Sequence, residues 1–452
     1  MSQIKSINPY NQEELASFKA MNEEEILFKI KALEKGYPQW KKKSLSFRSE
    51  QLLKLAKKLR EKEASLSKLI AMEMGKPISQ AKAEIEKCAW VCTYYAENAK
   101  KFLEPKIVET DAKKSFIRLE ALGTILCIMP WNFPFWQFFR VLAPNLLLGN
   151  VLLLKHASNV SLCSNSIREL FLELKLDFSI CENLIIESER IPNIIANEAI
   201  KGVTLTGSEK AGASVAESSG RALKKTVLEL GGSNALILLE DANLEKHIAE
   251  IAWARFQNAG QSCIAAKRFL VHEKIYEKFK EMLLTQMDKL IATNPLEEDC
   301  TLGTLAKESL AIELEKQIQD SINLGALLLK GGGRKGAFFE SSLIEVENTQ
   351  VPVFQEETFG PLAVIKKFSN NAEAIKLSNE SPFGLGVSIF TENHALAMEM
   401  AAELEEGAVF VNSMVKSDPR LPFGGIKKSG YGRELGEEAL KEFANVKTIY
   451  IK

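Results

Sequence analysis

Apolar residues recur at three- and four-residue spacing through residues 22–102, as in RSEQLLKLAKKLREKEASLSKLIAMEMGKP, and this periodicity predicts helices. Gly75 and Pro77 mark the end of one of them, glycine supplying a left-handed stop and proline barring continuation. Most lysines of this region read as solvated helix faces. After residue 122 the pattern changes. GTILCIMP (123–130), NVLLLK (150–155), NLIIES (183–188) and GVTLT (202–206) are short apolar runs separated by helix-like stretches. Such alternation is the signature of strand–helix–strand units and a parallel sheet. It resumes after 231, in RFLVHE (268–273) and GAVFVN (407–412), so a second α/β unit is expected to begin near LELGGSNALILL.

Composition narrows the function classes. At 452 residues the chain exceeds the size at which one core stops growing, so two or more domains are expected. Lys plus Arg (58) nearly balances Asp plus Glu (59), which argues against broad electrostatic binding to nucleic acid or an anionic membrane. The N-terminal MSQIKSINPYNQEE has no apolar signal region, and runs such as ALILL are too short to span a bilayer. The seven cysteines are scattered; Cys88 and Cys92 have no second pair or histidine spaced to complete a zinc site. Reduced thiols and a cytoplasmic setting follow as expectations, with no metal.

Cys263, in FQNAGQSCIAAKR, is the candidate for chemistry. Cysteine catalysis needs a thiolate, a place for charge on the attacked oxygen, and a base for the second half-reaction. None of the four histidines sits in a motif that pairs with Cys263, which disfavours a thiol hydrolase and leaves a carboxylate as base. LELGG supplies Glu229 at the end of a strand. G-x-G-x-x-G is absent, but TLTGSEKAG places Gly207, Ser208 and Gly212 between strand and helix, where backbone N–H groups can hold a pyrophosphate.

With these residues in view, the chain resembles the aldehyde dehydrogenase superfamily over almost its full length. MPWNFPFWQ, LLLKHAS, TLTGSEKAG, LELGG, NAGQSCIAAKR, EETFGP and PFGGIKKSGYGRELG carry the resemblance, in the family's order. It implies Cys263 as nucleophile, Glu229 as general base and Asn132 as donor to the oxyanion. It also implies Trp131, Lys155, Gly207, Ser208 and Phe359 around a nicotinamide cofactor, with Glu357 on its ribose. The implied fold is α/β, two parallel-sheet domains and a small β oligomerisation element. Residues 1–102 and 123–231 would bind cofactor, 232–431 would carry catalysis, and 103–122 with 432–452 would build a homodimer or homotetramer.

Within the family the chain is similar to the shorter bacterial enzymes acting on succinate semialdehyde, through MPWNFPFWQFFR, KHASN, TGSEKAGAS, GQSCIAAKRF and MVKSDPRLPFGG. That similarity implies a distal carboxylate held by Arg140 and Ser417. Arg140 follows Asn132 at a spacing of about two helical turns, so both can face one cleft. Some relatives carry a second arginine where this chain has Gln257, and a second cysteine where it has Ala265. Ser158 stands where many NAD-preferring relatives have an acid, so NADP is expected to serve at least as well as NAD. The alternatives are another small aliphatic aldehyde, or an acyl reductase of the same fold.

Overall fold

The computed structural model describes residues 3–452. The amphipathic N-terminal region forms helices Glu23–Lys42, Leu45–Glu61, Glu63–Met74 and a long fourth, α1 (Ile78–Leu103). Gly75 stops the third helix at φ 75°, where a Cβ would fall 2.0 Å from Thr304 Oγ1. Conformation and close approach both require glycine there.

The apolar runs after residue 122 build a sheet from β1 (Thr124–Met129), β2 (Val151–His156), β3 (Cys181–Leu184), β4 (Ile200–Thr206) and β5 (Lys225–Glu229). Their spatial order is β5-β4-β1-β2-β3, all parallel. β1 and β2 are buried almost throughout, as parallel strands covered on both faces must be. The strand expected at 183–188 ends earlier, at Leu184. Ile185 and Ile186 are apolar because they are buried beyond the sheet, not because they extend it.

A second sheet contains β6 (Ala235–Leu238), β7 (Arg268–His272), β8 (Leu327–Lys330), β9 (Ser342–Glu345), β10 (Leu362–Phe368), β11 (Val387–Phe390) and β12 (Val409–Val411). Its order is β8-β9-β10-β7-β6-β11-β12, parallel except for β8. Gly430–Tyr431 crosses back and pairs antiparallel with β5, so segment 232–431 does not lie on one sheet alone. Ala444–Ile451, Lys114–Ala121 and Lys106–Ile107 form a third, antiparallel sheet. The two parallel-sheet α/β layers and small β element are those the family resemblance implies. No helix among the described residues is long and apolar enough to cross a membrane.

In the first sheet the chain runs outward from β1 through β2 to β3, then returns to β4 on the other side of β1. Ligands of open α/β sheets bind where the order reverses, beyond the carboxyl ends of the strands. Pro130, Trp131 and Asn132 follow β1, and Gly207 and Ser208 follow β4. The topology thus brings two of the sequence motifs together.

Candidate active site

Cys263 is fixed by its backbone. The helix Leu244–Phe256 is followed by Gln257 and then by three successive left-handed residues, Asn258 (φ 53°), Ala259 (φ 50°) and Gly260 (φ 72°). At Gly260 a Cβ would lie 2.2 Å from the Gly360 carbonyl oxygen. Side-chain bonds hold this costly geometry. Asn258 donates from Nδ2 to the carbonyls of Asn132 (2.9 Å) and Gln261 (3.0 Å), and Gln80 Oε1 accepts from Asn258 N–H (2.6 Å). Gln261 Oε1 accepts from Ala306 N–H at 2.9 Å, and its Nε2 donates to the Thr304 carbonyl at 3.2 Å.

Lys267 completes the clamp. Its ammonium is fully buried and donates to the carbonyls of Ser262 and Cys263, both at 3.0 Å, to that of Gly232, and to Glu357 Oε1 at 2.9 Å. Glu357 Oε1 also accepts from Gly232 N–H at 3.0 Å. Sequence reading singled out neither Gln261 nor Lys267.

Two chambers meet at Cys263. The inner one, about 230 Å3, is lined by Trp131, Asn132, Thr206, Gly207, Ser208, Gly231, Glu357 and Phe359. The Trp131 and Phe359 rings meet edge to face at 5.6 Å. The helix starting here, Glu209–Arg221 (α3), is capped by Ser208, whose Oγ accepts from Ala211 N–H at 3.3 Å. The Gly207 N–H is spent on the Glu229 carbonyl and the Gly212 N–H on the Ser208 carbonyl. Gly212 is therefore not an anion donor; a Cβ there would meet Leu230 Cδ2 at 2.6 Å, so its glycine serves close packing. The first-turn N–H groups of Glu209 and Lys210 have no intrahelical acceptor and remain for an anion. Lys155, nearly buried at the end of β2, and exposed Ser158 lie outside the chamber lining.

The outer chamber, about 160 Å3, is lined in part by Gln80, Lys87, Trp136, Arg140, Gln257, Lys416, Ser417 and Phe423. Trp136 and Arg140 sit on α2 (Trp136–Leu148), a helix buried along its whole length. Its start is satisfied by Glu84 of α1, whose Oε1 accepts from the N–H groups of Phe135 (2.9 Å) and Trp136 (3.0 Å), while Lys76 pairs with Oε2. Asn132 precedes α2 and is not on it, so helical spacing is not what relates it to Arg140. Arg140 lines the chamber, yet its charge is already met: it forms a buried ion pair with Glu434 and donates to Thr206 Oγ1 at 3.2 Å. Ser417 Oγ accepts from Lys87 Nζ and Trp136 Nε1, both at 3.0 Å. Most lysines of this region were expected on solvated faces; Lys87 is found in the chamber. Gln80, Glu84 and Lys87 recur at four- and three-residue spacing on α1, the one signal from which sequence could have found it.

Burial pushes the Cys263 thiol up to about 11, with Arg140 and Lys267 pulling the other way. Burial, and then Glu434, hold the Glu229 carboxyl well above the usual range, against Arg140 and Arg433. Glu229 Oε1 has no hydrogen-bond partner and faces Gly424, where a Cβ would come within 2.8 Å. Glu229 lines neither chamber, so the structure does not bring it into line with Cys263. Asn132 does line the inner chamber; its Nδ2 donates to the Gln261 carbonyl at 3.1 Å. Among the described residues no His, Cys, Asp and Glu cluster suits a metal ion.

The aldehyde dehydrogenase family model matches residues 1–449. The chain is 41% identical over 451 residues to a probable succinate-semialdehyde dehydrogenase (NADP+) of Synechocystis sp., covering 99% of both chains. It is 39% identical over 450 residues to the succinate semialdehyde dehydrogenase (NAD(P)+) Sad of Escherichia coli, covering 98% of this chain and 97% of that one. The crystal structure of succinic semialdehyde dehydrogenase from Streptococcus pyogenes, in complex with NADP+, superposes with a TM-score of 0.97 at 38% identity and 99% coverage of both chains. The chain belongs to the aldehyde dehydrogenase family.

Proposed function

We propose that this protein oxidises succinate semialdehyde to succinate, using NADP+ at least as well as NAD+. The observation that carries the reading is the position of Cys263 at the meeting of a chamber suited to a nicotinamide and a chamber lined by cations and Ser417.

The inner chamber fits the cofactor. It offers aromatic walls in Trp131 and Phe359, free N–H groups at the start of α3, and Glu357, whose Oε1 is fixed by Lys267 and Gly232. Glu357 would hold the ribose, with Gly207 and Ser208 near the phosphates. Lys155 feels the positive charge of Lys307 as well as the negative charge of Glu189, and exposed Ser158 adds no charge of its own. The neutral Ser158 does not repel a 2′-phosphate. A nicotinamide held here by Trp131, Phe359 and Glu357 would supply the acceptor for the substrate's hydride.

The chain supplies the rest. Cys263 Sγ attacks the aldehyde carbon, and the Asn132 amide with the Cys263 N–H receives charge on the oxygen. One such donor is typically worth about 3 kcal/mol. Loss of hydride from that carbon leaves a thioester on Cys263. Glu229, turned from Gly424 toward Cys263, takes a proton from water, and the resulting attack frees the carboxylate product. A carboxyl raised toward neutrality is a stronger base than an exposed one.

The cofactor-binding role belongs to residues 1–102 and 123–231, and catalysis to 232–431. Cytoplasmic placement and a homodimer or homotetramer complete the reading; the third sheet carries exposed Ile107, Val446, Tyr450 and Ile451, an edge that needs a partner. The test is to follow reduced cofactor at about 340 nm over a panel of aldehydes with NADP+ and NAD+. Preference for an uncharged aldehyde of equal length overturns the substrate assignment.

A further inference from the structure

Lys76 just before α1, Lys87 on α1 and Arg140 on α2 are buried or half-buried cations, and two of them are already neutralised. Lys76 is paired with Glu84, and Arg140 with Glu434. Lys87 has no carboxylate within salt-bridge distance among the described residues. The acids in its field are committed elsewhere: Glu84 to Lys76 and the start of α2, Asp418 to Arg420 at 2.7 and 2.8 Å. Its ammonium rests 4.2 Å from the centroid of Trp136 and donates to Ser417 Oγ. Neither contact supplies a full negative charge.

The hydrogen bonds also fix what Ser417 can do. Lys87 Nζ and Trp136 Nε1 are donors only, so they occupy the two lone pairs of Ser417 Oγ. The Ser417 hydroxyl proton is thereby left to donate elsewhere, and Ser417 lines the chamber. An unpaired ammonium beside an O–H with no acceptor is the complement of a carboxylate.

We propose that Lys87, with Ser417 donating beside it, binds the distal carboxylate of the substrate, and that Arg140 serves instead to hold Glu434 and Thr206 in place. This rests on the assignment of an anionic aldehyde made above. Lys87 then takes the place of a cation that Gln257 cannot provide, and specificity for a carboxylate arises from α1, not from the nucleophile loop. Lys416, exposed at the chamber mouth, is too solvated to discriminate strongly.

The test compares kcat/KM for succinate semialdehyde with that for butanal, measured in the same preparation so that any unfolded fraction divides out. Lys87→Met should lower this ratio roughly 30-fold or more, the usual consequence of removing one partner of a buried charge pair. Lys87→Gln keeps a donor within reach of Ser417 but not the charge, and should lower the ratio comparably. Lys416→Met should change it less than about threefold. In addition, succinate should protect Cys263 from alkylation in the wild type and fail to do so in Lys87→Met. A wild-type preference kept within about threefold by both Lys87 variants overturns the inference alone. A wild type without preference for the semialdehyde overturns the substrate assignment, and the inference with it.

Discussion

Lys267 Nζ lies 3.0 Å from the carbonyl oxygen of Cys263, so the nucleophile's own peptide is held by a buried ammonium. The same ammonium is 2.9 Å from Glu357, which ties the nucleophile loop to the wall of the cofactor chamber. Lys267→Met should therefore disturb two functions together. Loss of its bonds leaves buried carbonyls unsatisfied, each at a cost of about 1–3 kcal/mol. The expected result is at least a tenfold fall in kcat together with weaker cofactor binding, measured by steady-state kinetics and fluorescence titration. A change in one without the other would separate the clamp from Glu357.

The Cys263 thiol, pushed up to about 11 by burial, gives little thiolate near neutrality. In the cofactor-free protein its alkylation by iodoacetamide should rise about tenfold per pH unit from roughly 7 to 10, since the thiolate is the reacting form. Peptide mass spectrometry locates the label. A plateau below pH 9 would show a thiolate stabilised by something beyond Arg140 and Lys267. Cys263→Ala should abolish turnover.

Glu229→Gln should permit one burst of reduced cofactor and then stall, because the thioester forms without a base but is not hydrolysed. An acyl adduct on Cys263 in the quenched enzyme is the expected finding. Normal turnover would assign water activation to another group.

Ser158→Glu should lower kcat/KM with NADP+ by charge repulsion and harm NAD+ use less. The readout is the ratio of the two cofactors. Equal losses would place the 2′-phosphate away from Ser158.

Burial, with a smaller push from Arg140, lowers Lys87 to about 8, against the opposing influence of Cys88, Glu84 and Asp418. The ammonium is present below that pH and lost above it. Preference for the semialdehyde over butanal, as a ratio of kcat/KM values, should thus decline as pH rises through about 8. Taking the ratio cancels effects on Cys263 and Glu229, which both substrates share. A ratio constant to pH 10 would leave no place for Lys87 in recognition.

Residues carried by short motifs at strand ends were legible in sequence because motif and position come together there. Trp131 and Asn132 after β1, and Gly207 and Ser208 after β4, lie where the parallel sheet must open. Gly212 fell in the same motif but inside the helix, where its N–H is already used. Lys87 and Lys267 escaped because a lysine is ordinarily exposed, and its environment is set by segments remote in sequence. Ser417 decides that environment for Lys87, and Gly232 and Glu357 for Lys267. Arg140 lines the chamber, but its partner Glu434 is remote in sequence, so its neutralisation leaves no local trace. Strands β8, β9 and β10 were not read individually either; β8 is apolar but partly exposed, at the edge of its sheet.

The pairing of Arg140 with Glu434 has a consequence for synthesis. Glu434 is made long after Arg140, in a segment that also accepts Tyr95 Oη–H at the Gly436 carbonyl and Asn150 Nδ2–H at the Phe443 carbonyl. Until the ribosome has released those residues, Arg140, which lines the chamber beside Cys263, lacks its counterion. The nascent chain thus carries its nucleophile without a finished electrostatic setting until the segment around Glu434 has docked against Arg140.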